Sequence, residues 1–503
     1  MSIRLSLTAC VLSGSVLAGV TLATTPATAL TAPELWEEWQ EALTSLGQEV
    51  AIANRTYSNG VLRLEGITQR MPIDPEVGRN ITVIDGLVLT EQTDGSVRID
   101  LDGGYRIDFG GTADGERSEG TLNLVFTGLD SVARGEPGSL VYDFAANLAQ
   151  LTLDRLAVND EDLPITFQMA ANELASVTTQ TGQTYAGQGS IAAVALAVTA
   201  DDQQGNAIKL DYGLTDLTFS GSANYAEFAS MGVGDPAAVF RAETPTALKT
   251  QHGPASFTLD TRGPSGGGTI SGRAESGALE GEFGKGRALY AANVKGMILD
   301  VASADLPVPV NLTADEIGFR VDGPMLAGAE PQPFSAALAL LGLSIPEALW
   351  ATVDPGGLLA RDPASLVLEL SGLAQLDKDL TGPVDPEDPA PGDVLALALE
   401  QLDLSAAGAQ ATANGAFAMD PNAPPAMPGM PPLSGKLNVE MRGLSGFINN
   451  LITLGLLDPT NAMGAQMMLG MLARPAPGGG DVLTSEIEVS PSGGITANGQ
   501  RIR

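Results

Sequence analysis

The side chains that most often carry catalysis are scarce in this sequence, and those present form no constellation. His252 is the only histidine. A Ser-His-Asp relay would have to use it, yet Gln251-His252-Gly253-Pro254 reads as a solvent-exposed turn. Cys10, the only cysteine, falls in an apparent export signal. The mature chain therefore offers no disulfide, no thiol and no multi-histidine or cysteine metal site. Carboxylates do neighbour one another: Asp100 and Asp102 flank Leu101, Asp160-Glu161-Asp162 precedes Pro164, and Asp201-Asp202 sits at an expected hairpin tip. Such pairs could serve glycoside hydrolysis or bind calcium, but with 60 acidic residues in the chain they arise without function. The glycine-rich residues 263–268 and Gly493-Gly494 read as turns, because neither carries the Gly-Lys-Ser/Thr of a phosphate loop. The sequence is read as that of a non-enzyme, with no catalytic residue, no metal ligand and no cofactor.

Apolar stripes remain. Phe447, Leu451 and Leu454 fall on one helical face, and Met463, Met467 and Met471 on another, joined by Met468 and Leu472. Phe334, Leu338, Leu341, Ile345 and Leu349 form a third. Core packing is the bland reading. The functional one is a groove or membrane-contacting lid that holds an acyl chain, since methionine surfaces adapt to varied apolar partners. Phe447, Leu451, Leu454, Met463, Met467 and Met471 are then the candidate apolar-ligand contacts. Trp36 and Trp39 share a stripe near the start of the chain. Packing on a sheet is the first expectation for them, and docking to a partner the second.

The elements that must position these residues are mostly strands. A helix is expected from Thr31, which with Glu34 makes a capping box, to Gly47. Residues 55–67 alternate around Asn59-Gly60, and residues 81–101 around Asp94-Gly95, as two hairpins. Short strands follow at 121–126, 140–144, 151–158, 165–169, 191–198, 208–212 and 217–219. After a glycine-rich seam at 263–268, weaker alternation runs to residue 321. Residues 334–350 read as helical, 366–370 and 394–404 as strands, 383–393 and 421–432 as proline-rich loops, and 444–457 and 462–472 as short apolar helices. A closing hairpin pairs 481–489 with 495–502. Thr-Ala-Asn-Gly occurs at 412–415 and at 496–499, with a turn expected at both. The fold class is mainly β with a few helices (α+β): an extended, curved antiparallel sheet covered in part by short apolar helices. Its divisions are a signal at 1–29, an N-terminal helix with a β-rich half at 30–265, and a second β-rich half with apolar helices at 266–503. One continuous domain and two separate ones both stay open.

Acids outnumber bases 60 to 26, giving a net charge of -34. That excludes nucleic acid as a partner and disfavours charge-driven adsorption to anionic lipid. Arg4, the apolar run from 5 to 20 and Ala27-Thr28-Ala29 make a secretory signal cleaved after Ala29. Leu7-Thr8-Ala9-Cys10 formally fits a lipoprotein site, but too little apolar sequence precedes Cys10. No later run is long and unbroken enough to span a bilayer as a helix.

Ala-Leu-Thr-Ala-x-Glu-Leu-Trp-x-x-Trp over 29–39, Tyr57-Ser58-Asn59-Gly60 and the closing Gly494-Ile495-Thr496-Ala497-Asn498-Gly499-Gln500 resemble the bacterial domain-of-unknown-function 2125 family. The resemblance implies a Gram-negative envelope protein without an assigned activity, and no functional residue carries over. Together these features lead to a periplasmic or otherwise exported protein that binds or passes an apolar ligand such as lipid. The alternative is a non-catalytic structural or interaction module that meets another envelope protein. N-terminal sequencing of the exported protein is expected to read from Leu30; a blocked, acylated cysteine would overturn the cleavage site.

Overall fold

The computed structural model describes residues 29–502 other than 72–77, 114–115, 203, 225–236, 265, 305, 307, 383–389, 421–432 and 478–479. The export signal with Cys10, the loop at 421–432 and most of that at 383–393 lie outside the described residues. The chain divides into two compact units, one running to Val239 with Thr244–Gly268 added, the other Phe240–Glu243 with Thr269–Arg503.

The first unit begins with α1 (Ala32–Ser45), followed by β1 (Glu49–Ser58), β2 (Val61–Arg70), β3 (Gly78–Glu91), β4 (Val97–Leu101), β5 (Tyr105–Ala113), β6 (Glu116–Thr127) and β7 (Asp130–Glu136). Then come β8 (Ser139–Val158), β9 (Glu161–Asp162), β10 (Ile165–Thr181), β11 (Thr184–Asp201) and β12 (Ala207–Asn224). The short α2 (Ala238–Arg241), β13 (Thr246–His252), β14 (Ala255–Gly263) and β15 (Gly266–Ala274) follow, the last crossing the sequence boundary. The pairings are antiparallel: β1, β2 and β3 in turn, then β4 and β5 side by side against β3, β7 and β6 against these, then β8, β10, β11 and β12.

The second unit continues with β16 (Ser276–Gly284), β17 (Arg287–Ser303), β18 (Val310–Pro324), β19 (Gln332–Leu343), α3 (Glu347–Val353), β20 (Ala364–Leu376), β21 (Gly392–Ala406), β22 (Ala409–Met419) and β23 (Leu433–Arg442). It closes with α4 (Leu444–Thr453), α5 (Pro459–Leu472), β24 (Arg474–Pro475), β25 (Val482–Val489), β26 (Ile495–Ala497) and β27 (Gln500–Arg501). From β16 to β23 each strand pairs antiparallel with the next, and β25 continues the series.

The capping box forms as expected: Glu34 N donates to Thr31 Oγ1 at 3.4 Å and Thr31 N to the Glu34 carboxylate at 3.0 Å. The buried face of α1 supplies Leu35 and Trp36, which sit on Leu62, Leu64, Ile67, Leu87, Leu89, Val97 and Leu140. Trp36 is only 2% exposed. The tryptophan stripe therefore packs inward, and Trp36 has no surface left for a partner. Trp39, half-buried, donates its Nε1 to the Tyr142 hydroxyl at 3.0 Å; that hydroxyl donates to Gln180 Oε1 at 2.9 Å, and Gln180 Nε2 to Glu38 at 2.7 Å. Burial pushes the Tyr142 hydroxyl far above its ordinary pKa, so it stays a neutral donor.

The strands after this core are longer than the sequence suggested, because their alternation slips phase once. In β10 the inward series Phe167, Met169, Ala171 resumes as Leu174, Ser176, with Asn172 and Glu173 both exposed. In β12, Leu210, Tyr212, Leu214 resume as Leu217, Phe219 past Thr215 and Asp216. Glu173 and Asp216 adopt left-handed backbone, φ +51 and +54°. Their opposite numbers skip a rung without losing register: Asn172 pairs with Ala193 and Leu174 with Ile191. In the second unit Gly296 (φ +60°) does the same in β17, and Gly342 (φ +66°) in β19 keeps register against β18 but shifts it against β20. A Cβ on Gly342 would overlap the Asp315 carboxylate. Such a residue bends its strand and turns two successive side chains outward. The pieces expected at 208–212 and 217–219 are thus one strand, β12, and those at 140–144 and 151–158 are one strand, β8, which runs past Glu173 of β10 without a left-handed residue of its own.

Three other expectations are corrected. Residues 334–343 are not helical but belong to β19, held between β18 and β20; only Glu347–Val353 is helical. Short apolar runs suit either state, and here two neighbouring ladders decide. Asn414-Gly415 is not a turn: it lies inside β22, where Gly415 lets the β23 backbone at Lys436 and Leu437 approach closely. Asn498-Gly499 does turn, which splits the last expected strand into β26 and β27. Tyr142→Phe should lower stability by about 1–3 kcal/mol by orphaning Trp39 Nε1 and Gln180, and Trp36→Ala by about 3–5 kcal/mol, both read as shifts in the urea midpoint.

Candidate functional site

Residues opposite one another in an antiparallel ladder share a face, so the register defines a site too wide to call a pocket. In the second unit one face carries Leu279 and Phe283, then Tyr290, Ala292 and Val294, then Ile317, Phe319 and Val321. It continues through Ala336, Leu338 and Leu340 to Leu366, Leu368 and Leu370, then Leu397, Leu399, Leu402 and Leu404, and ends on Leu437, Val439 and Ile487. None of these side chains is fully buried; Phe319 is 41%, Val321 51% and Leu404 45% exposed. Tyr290 and Phe319 lie with ring centroids 5.5 Å apart in the middle of the band. The reverse face carries the charges, with Arg320 3.3 Å from Glu280, Arg287 2.7 Å from Asp322 and Lys436 3.5 Å from Glu488, among scattered apolar side chains such as Leu289 and Leu373. A monomer rarely leaves so much contiguous apolar surface open without using it.

The first unit repeats the pattern beyond its core, with Phe167, Met169, Val194, Leu196, Val198, Leu210, Tyr212, Leu214, Phe257 and Leu259 half-buried on one face. Its other face holds an open hollow of about 480 Å³ lined by small side chains, Ala170, Ala195, Ala197, Gly213 and Ser256 among them. The one carboxylate there, Asp211, is paired with Lys209 at 2.6 Å.

At one end of the band stands the α4–α5 pair. Gly443, left-handed at φ +69°, opens α4, and Asp481 accepts from the Gly446 amide at 3.1 Å. Asn450 donates to Leu358 O at 2.7 Å, tying α4 to the loop after α3. That loop is organised by Asp354, which is wholly buried and accepts from the amides of Leu358 (2.9 Å) and Leu359 (2.8 Å) and from Arg361 (2.6 Å). The Arg361 guanidinium also lies 4.7 Å over the Trp350 ring. Asp458 caps α5 through Thr460 N at 2.8 Å. The α5 C-terminus is fixed where Leu472 O accepts from Ser485 Oγ (2.6 Å) and Asn498 Nδ2 (2.9 Å).

The candidate contacts divide. Phe447, Leu451 and Leu454 are half-buried on α4, but Met463, Met467 and Met471 stand in solvent on α5, Met467 72% exposed. The methionines are therefore not core. His252 is half-buried at the end of β13, its Nδ1 2.7 Å from Gly253 O, rather than in an exposed loop. Asp100 pairs with Arg98, Asp102 with Arg63, and Asp162 with Arg155. Asp202 takes the amides of Gln204 and Asn206 and the Asn206 side chain, which hold its carboxyl below the usual range. Among the described residues no three His, Cys, Asp or Glu side chains gather as metal ligands would. No described helix is long and apolar enough to cross a membrane. The band across β17–β20 escaped sequence reading because β19 looked helical; the period-two series Phe334, Ala336, Leu338, Leu340 was the available signal.

Fold and face together define a β-rich protein of amphipathic antiparallel sheets. Residues 240–491, half of the chain, match the model of a bacterial family described as "Uncharacterized protein conserved in bacteria (DUF2125)", and the chain belongs to that family. The end motifs that suggested the family lie outside the matched span. No curated protein and no solved structure matches the chain.

Burial works to raise the Asp354 carboxyl's pKa, but the Leu359 and Leu358 amides and Arg361 outweigh it and hold it below the ordinary value. A depressed folded pKa means stability fully present above the unfolded value, about 4, and lost as pH falls through the folded one. Asp354→Asn should therefore destabilise the protein at pH 7 and flatten its acid-unfolding profile below about pH 4, as followed by circular dichroism.

Proposed function

We propose that this is an exported, non-catalytic envelope protein that holds lipid acyl chains on the open apolar face of its sheets and passes them along it. The observation that carries the reading is the band from Leu279 to Ile487, continuous across successive strands with none of its named side chains fully buried. Apolar surface in water costs roughly 25 cal/mol per Å², so a face this wide calls for an occupant. A flat row of aliphatic and aromatic side chains without a defined pocket suits a flexible hydrocarbon chain better than a rigid ligand. Phe447, Leu451 and Leu454 extend the apolar surface at one end of the band, and Met463, Met467 and Met471 adjoin them as further contacts. Export is supported by the small-x-small sequence just before Leu30, whose amide is already anchored on Gly95 O at 3.1 Å.

The test is native mass spectrometry and lipid extraction of protein purified from the envelope fraction. Phospholipid should co-purify, and Val321→Asp with Leu338→Asp should remove most of it, because a charge on the apolar face costs several kcal/mol when covered by hydrocarbon. Lipid-free protein, or lipid content unchanged in that double variant, would count decisively against the proposal.

A further inference from the structure

The α4–α5 pair presents apolar side chains on the side turned away from the protein as well as on the side turned toward it. On α5, Ala462 is buried and Ala465, Leu469 and Leu472 are half-buried along one stripe, which is the face packed on the rest of the unit. The opposite stripe is Met463, Met467 and Met471, with Met468 beside it, each more than half exposed. A surface helix ordinarily turns its polar side to water; this one turns out its methionines, with Thr460, Asn461 and Gln466 as its only exposed polar side chains. From Leu444 to Leu472 the only ionisable residue is Asp458, in a chain of net charge -34.

We infer that the methionine stripe of α5 docks on the hydrocarbon boundary of a lipid bilayer. Charge is the first argument for this occupant. A protein partner for so acidic a chain would be expected to meet it through basic groups, yet this surface offers nothing to pair. Hydrocarbon is the complement of an uncharged apolar stripe. Continuity is the second argument. The α5 C-terminus lies at the sheet's apolar side, because the buried Ser485, which shares a face with Val439, donates to Leu472 O at 2.6 Å. A lipid leaving the bilayer at α5 would thus meet the end of the band proposed above to carry it, and in that respect the inference rests on that reading. Asp458 limits the depth. Hydrogen bonds from Thr460 hold its carboxyl below the ordinary pKa, so it stays charged. The helix therefore lies along the interface instead of entering tip-first.

The experiment is flotation of the full mature chain with phosphatidylcholine vesicles at low and high salt. Wild type should float equally at both, since no ion pair contributes. Replacing Met463, Met467, Met468 and Met471 together by serine should reduce vesicle binding at least tenfold, and replacing them by leucine should preserve it. Oxidation of the wild type to methionine sulfoxides should mimic the serine variant. Binding by the serine variant equal to wild type would overturn the inference. So would loss of binding in the leucine variant, which would point to thioether chemistry such as a soft metal ion. The lipid content of the same preparations separates the two proposals. Retained lipid without flotation sinks only the docking surface, and flotation by lipid-free protein sinks only the lipid-carrying face.

Discussion

The antiparallel ladder is what the rest of this molecule depends on. In most β proteins a second layer seals the apolar face and supplies the hydrophobic core. Among the described residues the largest such arrangement is where Leu35 and Trp36 of α1 cover Leu62, Leu64, Leu89 and Val97, with smaller buried spots around Val239, Ile448 and Ala462. Elsewhere each strand is held mainly by its two neighbours, through backbone hydrogen bonds and cross-strand side-chain pairs such as Tyr290–Val321 and Leu368–Leu402. Stability then accumulates strand by strand, as in repeat proteins, where each repeat touches only its neighbours. An occupant of the apolar face would act as the missing layer, stabilising the folded sheet by mass action.

Charge plays a different part from cohesion. The ion pairs on the reverse face, Arg320–Glu280 and Lys436–Glu488 among them, are exposed and contribute little individually. The excess of acid keeps molecules with wide apolar faces from associating with one another. It also divides the surface into charged reverse faces that repel anionic lipid and apolar faces that carry no charge. The exception is Asp354, whose carboxylate is buried against Arg361 and two amides. It fixes the loop to which Asn450 ties α4, so one buried anion positions the helical pair at the end of the band.

Much of this was legible in the sequence where local chemistry decides structure. Thr31 and Glu34 cap α1 as their spacing requires, Asn59-Gly60 makes its turn, and the apolar helices fall close to the expected residues. What was not legible has one main physical cause. Period-two counting assumes that φ stays negative, and a single left-handed residue such as Glu173 or Asp216 shifts the inward set from odd to even positions. Each slip therefore looks like the end of a strand, and β10 and β12 read as fragments; β8, with no left-handed residue of its own, loses its alternation opposite Glu173. The same rule hid β19, whose Ala-Ala-Leu-Ala-Leu-Leu fits helix or strand until β18 and β20 are placed beside it. Exposure was equally invisible: Met463 and Leu35 both sit on apolar helical stripes, yet one stands in solvent and the other in the core.

The phase slips also bear on function. Because the rungs Glu173–Ala192 and Gly296–Asp315 are skipped without loss of register, the strands bend while the apolar series stays on one side. Where β21 instead carries one extra residue between Leu399 and Leu402, the bulge likewise leaves its leucines on the apolar face. Placing the left-handed residue opposite a skipped partner keeps Ile191 across from Leu174 and Ala314 across from Met297. Long strands can in this way remain amphipathic from end to end. That continuity, more than any individual side chain, is what a hydrocarbon chain sliding along the sheet would need.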